Sequence, residues 1–346
     1  MDCSRSDGSA SPRELADGEV LMLCDRRFPL DFERDGLAVG GRQVRVRETP
    51  NSGEGTAHSV WDGAVILGKY LEHCFGREAL CGACVAELGA GTGLAGCCAA
   101  ALGASPVVLT DLPYAIPALR FAADAANSWH ADGCSEGGAR ADRSAPHPAA
   151  GSRADTDAAA AAQASPAAAA AEPADARKAA LHESCGAATG PAGRGGSPVE
   201  TTRERGAAVA VCVADWNEPS DAAAAIVAAA GDAAPDVILL ADVVWVEELV
   251  EPLVAALERL AESEGAAASH RGRGVAARCD GLSDATCRGP LVVAAHQTRS
   301  QATDDVFWAA LGRRFEWRRV GDISGVPREF APEGPLFLVE ARLRIA

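Results

Sequence analysis

The strongest chemical signal in this sequence lies in residues 85–96. A short apolar run containing Glu87 leads into three glycines at alternate positions, Gly89, Gly91 and Gly93, and helical apolar spacing begins directly after them. Such glycines let a ligand approach the main chain without meeting a Cβ, and the start of the following helix offers free N–H groups. An ordinary strand-to-helix turn needs only one glycine, so we predict a loop that holds a cofactor.

Two cofactor classes fit this loop. Residues 91–96 match G-x-G-x-x-G, and Asp111 lies about where an acid binds ribose hydroxyls, which is also the fingerprint of dinucleotide-binding folds. Whether the loop binds a dinucleotide or another cofactor is indicated by Glu87, which precedes the first glycine, and by motifs further along the chain.

Acidic residues stand at the ends of three predicted strands, namely Asp111 after 107–110, Asp215 after 208–213 and Asp242 after 236–241. The carboxyl ends of parallel strands face the crevice in which ligands bind, so Asp111 is a candidate acceptor for ribose hydroxyls. Asp111 and Asp242 also precede predicted helices, and a helix N-cap is the alternative role for both. We favour the functional role for Asp242 because of its strand-end position.

Three further residues have open roles. Trp61 begins a predicted helix, where it is either a core anchor for the N-terminal hairpin or a plate over the cofactor. His296 and Arg299 follow the fifth strand of the predicted sheet, and they either contact the substrate or are simply solvated.

The cysteines do not indicate a metal site or disulfides. Cys81 and Cys84, with His73 and Cys74 upstream, lack the second well-spaced pair of a zinc site, so we predict no metal. Many of the twelve cysteines fall in predicted core elements, and we expect them to be free buried thiols.

The periodicity of the chain predicts an α/β fold. A β-hairpin over 28–47, with Leu37, Val39, Val44 and Val46 inward, precedes a helix from residue 60. Strands and helices then alternate, and two strands in succession close the chain; the predicted strands are 85–88, 107–111, 208–213, 236–241, 291–295, 315–320 and 336–345. This order is typical of an open, Rossmann-like parallel sheet that ends in an antiparallel hairpin.

Composition limits the partners and the location. The chain of 346 residues has a formal net charge of −16, which argues against binding to a nucleic-acid backbone. No apolar run is long enough to span a bilayer, and residues 1–17 contain no apolar segment typical of a secretory signal. We therefore expect a soluble cytoplasmic protein without membrane contact.

Three segments have compositions that cannot bury a core. Residues 1–27 are predicted to be a disordered N-terminus, and the Ala-, Gly- and Ser-rich stretches 130–206 and 265–288 are predicted disordered insertions. Neither insertion interrupts a predicted core element, so residues 28–346 form one predicted domain.

Several motifs occur together in a recognisable order, and the resemblance that they carry covers residues 28–345 apart from the insertions. They are Val60-Trp61-Asp62, the segment from Glu87 to Leu94, Thr110-Asp111-Leu112, Asp215-Trp216, and Ala241 to Trp245 followed by Glu247 to Leu253. In this arrangement the chain resembles the seven-strand, class I S-adenosylmethionine-dependent methyltransferases, and more narrowly the non-histone protein-lysine methyltransferases of methyltransferase-like family sixteen.

The resemblance implies a cofactor site for S-adenosyl-L-methionine. Gly89, Ala90 and Gly91 would pass under its methionine part, and Glu87 would help to shape this loop. The remaining implied contacts are Asp111 on the ribose hydroxyls, Trp216 against the adenine with Asp215 nearby, and Trp61 and Ala241 in the cofactor wall.

The resemblance also implies a protein substrate carrying a lysine, with Asp242 and Trp245 as catalytic residues. The family usually has Tyr or Phe where this chain has Trp245, so an apolar wall is kept while a phenolic oxygen is lost. The implied enzyme is a protein-lysine methyltransferase, and we expect a monomer. Two alternatives stay open, a nicotinamide-dependent oxidoreductase that uses the same loop and a non-catalytic binding module that retains the fold.

Overall fold

The structure, a computed structural model, describes residues 27–49, 55–131, 208–263 and 287–345. Most of the N-terminal segment and of both predicted insertions lies outside these ranges. The helix before the first insertion reaches Ala131, and the strand after the second begins at Cys287. Each of these elements thus overlaps a predicted insertion by two residues, and Arg288 pairs with Leu343 across the sheet.

The described elements alternate between strands and helices along most of the chain. The strands are β1 (Leu37–Val39), β2 (Arg42–Val44), β3 (Val85–Leu88), β4 (Val107–Asp111), β5 (Val209–Val213), β6 (Val237–Ala241), β7 (Cys287–Gln297), β8 (Phe315–Arg319) and β9 (Leu336–Arg344). The α-helices are α1 (Asp62–Tyr70), α2 (Gly76–Leu80), α3 (Leu94–Ala101), α4 (Ile116–Ala131), α5 (Pro219–Ala229), α6 (Val250–Glu262) and α7 (Gln301–Arg314). Among them, none combines the length and the apolar character that crossing a membrane requires.

Seven of the strands form one sheet in the order β5-β4-β3-β6-β7-β9-β8. Strands β3 to β7 run parallel to their neighbours in that group, whereas β9 pairs antiparallel with both β7 and β8. The predicted fold class, an open α/β sheet with an antiparallel C-terminal hairpin, is confirmed.

Alternation of apolar residues along the parallel strands builds a core on each face of the sheet. Val85 and Leu109 belong to the core that packs against α1, α3 and α4, whereas Ala86 and Val108 belong to the core that packs against α5, α6 and α7. Both faces are covered, as expected for parallel strands in an α/β fold.

The N-terminal hairpin covers the first of these cores. Strands β1 and β2 pair antiparallel, and the four predicted inward residues are all buried, namely Leu37, Val39, Val44 and Val46. The helix predicted from residue 60 continues beyond α1 as a π-helical segment, Leu71–Phe75, and then as α2. Phe75 and Leu80 on this continuation are buried.

The strand order reverses at β3, which pairs with β4 on one side and with β6 on the other. A crevice forms outside the carboxyl ends of the strands at such a point, and ligands bind there in open α/β sheets. The glycine-rich loop leaves β3 at this edge, and Asp242 follows β6 at the same edge. The fold therefore brings the two strongest sequence signals together.

Candidate active site

The glycine-rich loop is held closely against its surroundings. Gly89 has a φ of +64°, and a Cβ there would lie 3.0 Å from Cζ2 of Trp216 and 3.0 Å from Cγ1 of Val243. At Gly96, in the first turns of α3, a Cβ would lie 2.3 Å from Cδ2 of Leu109. Gly89 thus has the backbone of a tight turn, and Gly96 allows close packing of helix on sheet.

Glu87 lies beneath this loop, fully buried at the end of β3. Its Oε2 accepts a hydrogen bond from the backbone N–H of Gly96 at 2.7 Å, which ties β3 to the N-terminus of α3. Burial raises the pKa of Glu87 to about 8, and the negative charge of Asp111 also acts to raise it. Glu87 does not line the cleft but lies beneath the loop, and its role in shaping the loop stays a prediction.

Asp111 links the ends of β3 and β4. Its Oδ2 accepts from the N–H of Gly91 at 2.8 Å, and its Oδ1 accepts from the N–H of Leu112 at 2.7 Å. Burial raises the pKa of Asp111 even though both hydrogen bonds favour the charged form. The alternative role as a helix N-cap is wrong, because Leu112 occupies the N-cap position of the 3-10 turn that follows.

A cleft of about 900 Å³ of empty space, part of it open to solvent, surrounds the loop. The structure brings ten of the eleven predicted site residues to its wall: Trp61, Gly89, Ala90, Gly91, Asp111, Asp215, Trp216, Ala241, Asp242 and Trp245. Sequence reasoning missed another part of the wall, formed by Thr56, Ala57, Ser59, Tyr114, Asn217 and Leu249 among others. These residues lie in turns whose positions depend on the folded sheet, and no local pattern marked them.

Trp61 contributes to the wall of the cleft. Its Nε1 donates a hydrogen bond to the carbonyl of Thr56 at 3.1 Å, and the guanidinium of Arg299 lies over its ring, 4.7 Å from the centroid. Between the two roles predicted for Trp61, its position favours the one in the ligand cleft over that of a core anchor.

Asp242 occupies an unusual position at the end of β6. Its φ of +57° is in the left-handed region, which costs free energy for a residue other than glycine, although Asp tolerates it better than most. Its backbone N–H donates to the carbonyl of Ala295 on β7 at 2.8 Å. The alternative role as an N-cap is wrong, because Val246 and Leu249 cap the helical turns that follow.

The carboxylate of Asp242 is buried and only partly neutralised. Only 1% of its side chain is exposed, and its Oδ2 accepts a hydrogen bond from Nη2 of Arg299. By geometry its Oδ1 has no hydrogen-bond partner among the described residues, although the backbone N–H of Gln297 lies close enough to the carboxylate to oppose the rise of its pKa. Burial raises the pKa of Asp242, while the charge of Arg299 opposes that rise. A buried oxygen without a partner, at the wall of a cleft, is suited to a hydrogen-bond donor of a ligand.

His296 and Arg299 have different environments. His296 is buried, its Nε2 is 2.9 Å from Oδ1 of Asp304, and its ring stacks on Phe307. The expectation of a solvated or substrate-contacting His296 was wrong, because α7 covers this side chain. Arg299, in contrast, reaches Asp242 at the cleft.

The residues of the cleft fit an adenosyl cofactor with an amino-acid tail. The loop from Gly89 to Gly91 offers main chain without side-chain bulk, Asp111 offers a buried carboxylate, and Trp216 offers an aromatic face. Among the residues that the structure describes, no three His, Cys, Asp or Glu side chains are grouped as metal ligands.

Comparisons with known proteins agree with the motifs. A family model described as lysine methyltransferase matches residues 42–133. The mouse protein named EEF1A lysine methyltransferase 3 is 32% identical over 120 residues, which is 35% of this chain and 49% of that protein. Mouse protein N-lysine methyltransferase METTL21A is 48% identical over 66 residues, 19% of this chain and 29% of that protein.

The chain thus spans about half, or less, of the length of these curated relatives. Among solved structures, an RNA methyltransferase from Pyrococcus horikoshii, described as putative in its own name, has a TM-score of 0.31 at 12% identity, over 87% of this chain and 90% of that one. The strand order of the sheet is the evidence for the fold. The resemblance predicted from the motifs is confirmed where residues 42–133 match the lysine methyltransferase family.

Proposed function

We propose that this protein is an S-adenosylmethionine-dependent methyltransferase that modifies a lysine side chain of a protein. One observation supports the proposal most strongly. The glycine-rich loop after β3 and the buried, partly unpartnered carboxylate of Asp242 after β6 line the same cleft. The first is suited to a nucleotide-like cofactor, and the second is suited to a cationic acceptor.

The cofactor side of the cleft would be held mainly by backbone and by Asp111. Gly89, Ala90 and Gly91 would lie along the methionine part, and Asp111 would accept hydrogen bonds from ribose hydroxyls while it keeps Gly91 in position. Trp216 would lie against the adenine, near Asp215, with Trp61 and Ala241 completing the wall. When bound, S-adenosylmethionine supplies a methyl group on a sulfonium centre.

The acceptor side would orient a lysine amine. The carboxylate of Asp242, whose Oδ1 has no hydrogen-bond partner among the described residues, would accept an N–H of the ammonium group, and Trp245 and Trp61 would contact the lysine side chain. The amine must lose a proton before it attacks, and burial favours the neutral form of an amine while it raises the pKa of Asp242. Asp242 would therefore serve to orient the amine and to receive its proton at a carboxylate oxygen.

The alternatives are less well supported. The matches to lysine methyltransferases do not favour a nicotinamide-dependent oxidoreductase, whose support is the glycine pattern alone. A non-catalytic binding module is suggested only by Trp245, which stands where the family usually has Tyr or Phe. An indole keeps an apolar wall for the lysine stem, so this substitution does not by itself remove the function.

We further propose a protein substrate that offers a lysine on an accessible segment, and a monomeric, cytoplasmic enzyme that binds neither nucleic acid nor membranes. The net charge of −16 supports a basic substrate segment over a phosphate backbone. One relative is named for EEF1A, which makes EEF1A the first candidate substrate to test.

The proposal is tested by incubating the purified protein with methyl-labelled S-adenosylmethionine and either EEF1A or a cell extract. Label recovered as methyl-lysine from one protein band, and absent with Asp242→Ala, supports it. Label on small molecules alone, or binding of a nicotinamide cofactor in preference to S-adenosylhomocysteine, overturns it. Tight binding of S-adenosylhomocysteine with no transfer to any protein would favour the binding module instead.

A further inference from the structure

Arg299 contacts two residues of the cleft wall, Asp242 and Trp61. The residue lies between the end of β7 and the start of α7, and its Nη2 donates to Oδ2 of Asp242. Its guanidinium also lies 4.7 Å from the ring centroid of Trp61. Asp242 and Trp61 thus hold one cation between a carboxylate and an aromatic face.

A buried carboxylate beside an aromatic ring is a combination that recognises cations in general. The side chain of Asp242 is 1% exposed, which makes its charge costly to leave unpaired. This pair would therefore receive the ammonium group of a lysine for the same physical reasons that it receives the guanidinium of Arg299.

We propose that Arg299 is an internal stand-in for the acceptor, and that its guanidinium occupies the cation site of Asp242 and Trp61 until a substrate alkylammonium group displaces it. The inference rests on the proposed function, since it assigns the substrate's cation to the same cleft. Arg299 then sets specificity for the acceptor group of the substrate. Asp242 stays paired only if the incoming group replaces both the charge of Arg299 and the contact of Arg299 with Trp61.

The position of Arg299 allows this exchange. Its side chain is 23% exposed, whereas that of Asp242 is 1% exposed, so one member of the ion pair borders solvent. The side-chain oxygen of Gln297, 3.3 Å from Nη2 of Arg299, offers a second acceptor just outside the pair. Because Arg299 lies in the connection between β7 and α7, its departure from Asp242 would need rotation of its side chain and no change in either element.

The test measures binding of n-butylammonium, which has the end of a lysine side chain, to the full-length protein by tryptophan fluorescence. If Arg299 occupies the site about nine-tenths of the time, its removal tightens binding about tenfold. We expect this gain for Arg299→Ala and Arg299→Gln, and wild-type affinity for Arg299→Lys, because a lysine at this position still supplies a competing cation.

Arg319→Ala is the matched control. The guanidinium of Arg319 also lies over an aromatic ring, 3.6 Å from the centroid of Phe337, but Phe337 is not part of the cleft wall, whereas Trp61 and Asp242, which Arg299 contacts, both are. Arg319→Ala removes a guanidinium charge and a contact with an aromatic ring, as Arg299→Ala does. We expect this variant to bind n-butylammonium with wild-type affinity. The gain in butylammonium binding must also vanish in the double variant Asp242→Asn with Arg299→Ala, because the carboxylate that binds the cation is then absent.

Unchanged or weaker butylammonium binding in both Arg299→Ala and Arg299→Gln, with binding of S-adenosylhomocysteine retained, would overturn the inference and make Arg299 a structural partner of Asp242. The gain in binding without methyl transfer to any protein would support the inference while the proposed function fails. Methyl transfer to a protein without the gain in butylammonium binding would support the proposed function and overturn the inference.

Discussion

The main chain at Gly89 lies against the indole of Trp216 so closely that a Cβ there would be 3.0 Å from Cζ2. The same Cβ would be 3.0 Å from Cγ1 of Val243, which follows β6. The loops after β3, β5 and β6 therefore meet at a residue that has no side chain. Gly89, Trp216 and Val243 all line the cleft, so this contact forms part of its wall.

Replacing Gly89 with alanine should weaken cofactor binding. The new Cβ would push Trp216 or the loop away, and the φ of +64° would add strain. We expect the dissociation constant for S-adenosylhomocysteine, measured by calorimetry, to rise by about tenfold or more.

Gly82→Ala separates the two effects, because Gly82 has a φ of +74° with nothing within 4 Å of a Cβ. Both variants should lose stability from strain, but only Gly89→Ala should lose cofactor affinity. Equal affinity in the two variants would show that contact with Trp216 does not shape the site.

Glu87 should make the stability of the protein depend on pH. Its pKa is about 8 in the folded protein against an ordinary value of 4.5, so the folded state holds the proton more tightly than the unfolded state. The stabilisation is complete below about pH 4.5 and is lost as the pH rises through about 8. We expect the Tm of the wild type to fall across this window.

Glu87→Gln should flatten that part of the profile, because the amide oxygen can still accept from Gly96 and cannot ionise. Glu248 is exposed, so Glu248→Gln is the control, and its Tm should depend on pH as that of the wild type does. A decrease in Tm that is just as steep in Glu87→Gln would assign the pH dependence to other groups.

Replacing residues 133–206 with a short Gly-Ser linker should leave folding and cofactor binding intact. The side chain of Asn127 in α4 both donates to the carbonyl of Val209 and accepts from its N–H, each at 2.9 Å. The last turns of α4 therefore lie beside the start of β5, and a short linker can join the two elements. Circular dichroism and calorimetry with S-adenosylhomocysteine measure the result, and an unfolded product would assign a structural role to the insertion.

Much of the fold follows from local patterns. Apolar runs that end in acids predict the parallel strands, and two strands in succession predict the antiparallel end of the sheet, in which β9 inserts between β7 and β8. The glycine spacing predicts the loop after β3. These features are encoded by neighbouring residues, so the sequence alone is sufficient to find them.

Other features depend on contacts between distant parts of the chain. Arg299 and Asp242 are 57 residues apart, and only the pairing of β6 with β7 brings them together. His296 is a polar residue near the end of a strand, and this local pattern predicts contact with substrate or solvent. Its burial depends on α7, which folds back over it. The turn that contributes Thr56 to Ser59 to the cleft has no distinctive pattern of its own.

The most direct test of the account compares methyl transfer and cofactor binding in Asp242→Ala. Because the carboxylate of Asp242 hydrogen bonds to Arg299 and not to the glycine-rich loop among the described residues, we expect transfer to lysine to fall by about 100-fold or more while the dissociation constant for S-adenosylhomocysteine stays within about threefold. Wild-type turnover in this variant would contradict the role of Asp242 and with it the proposed acceptor site.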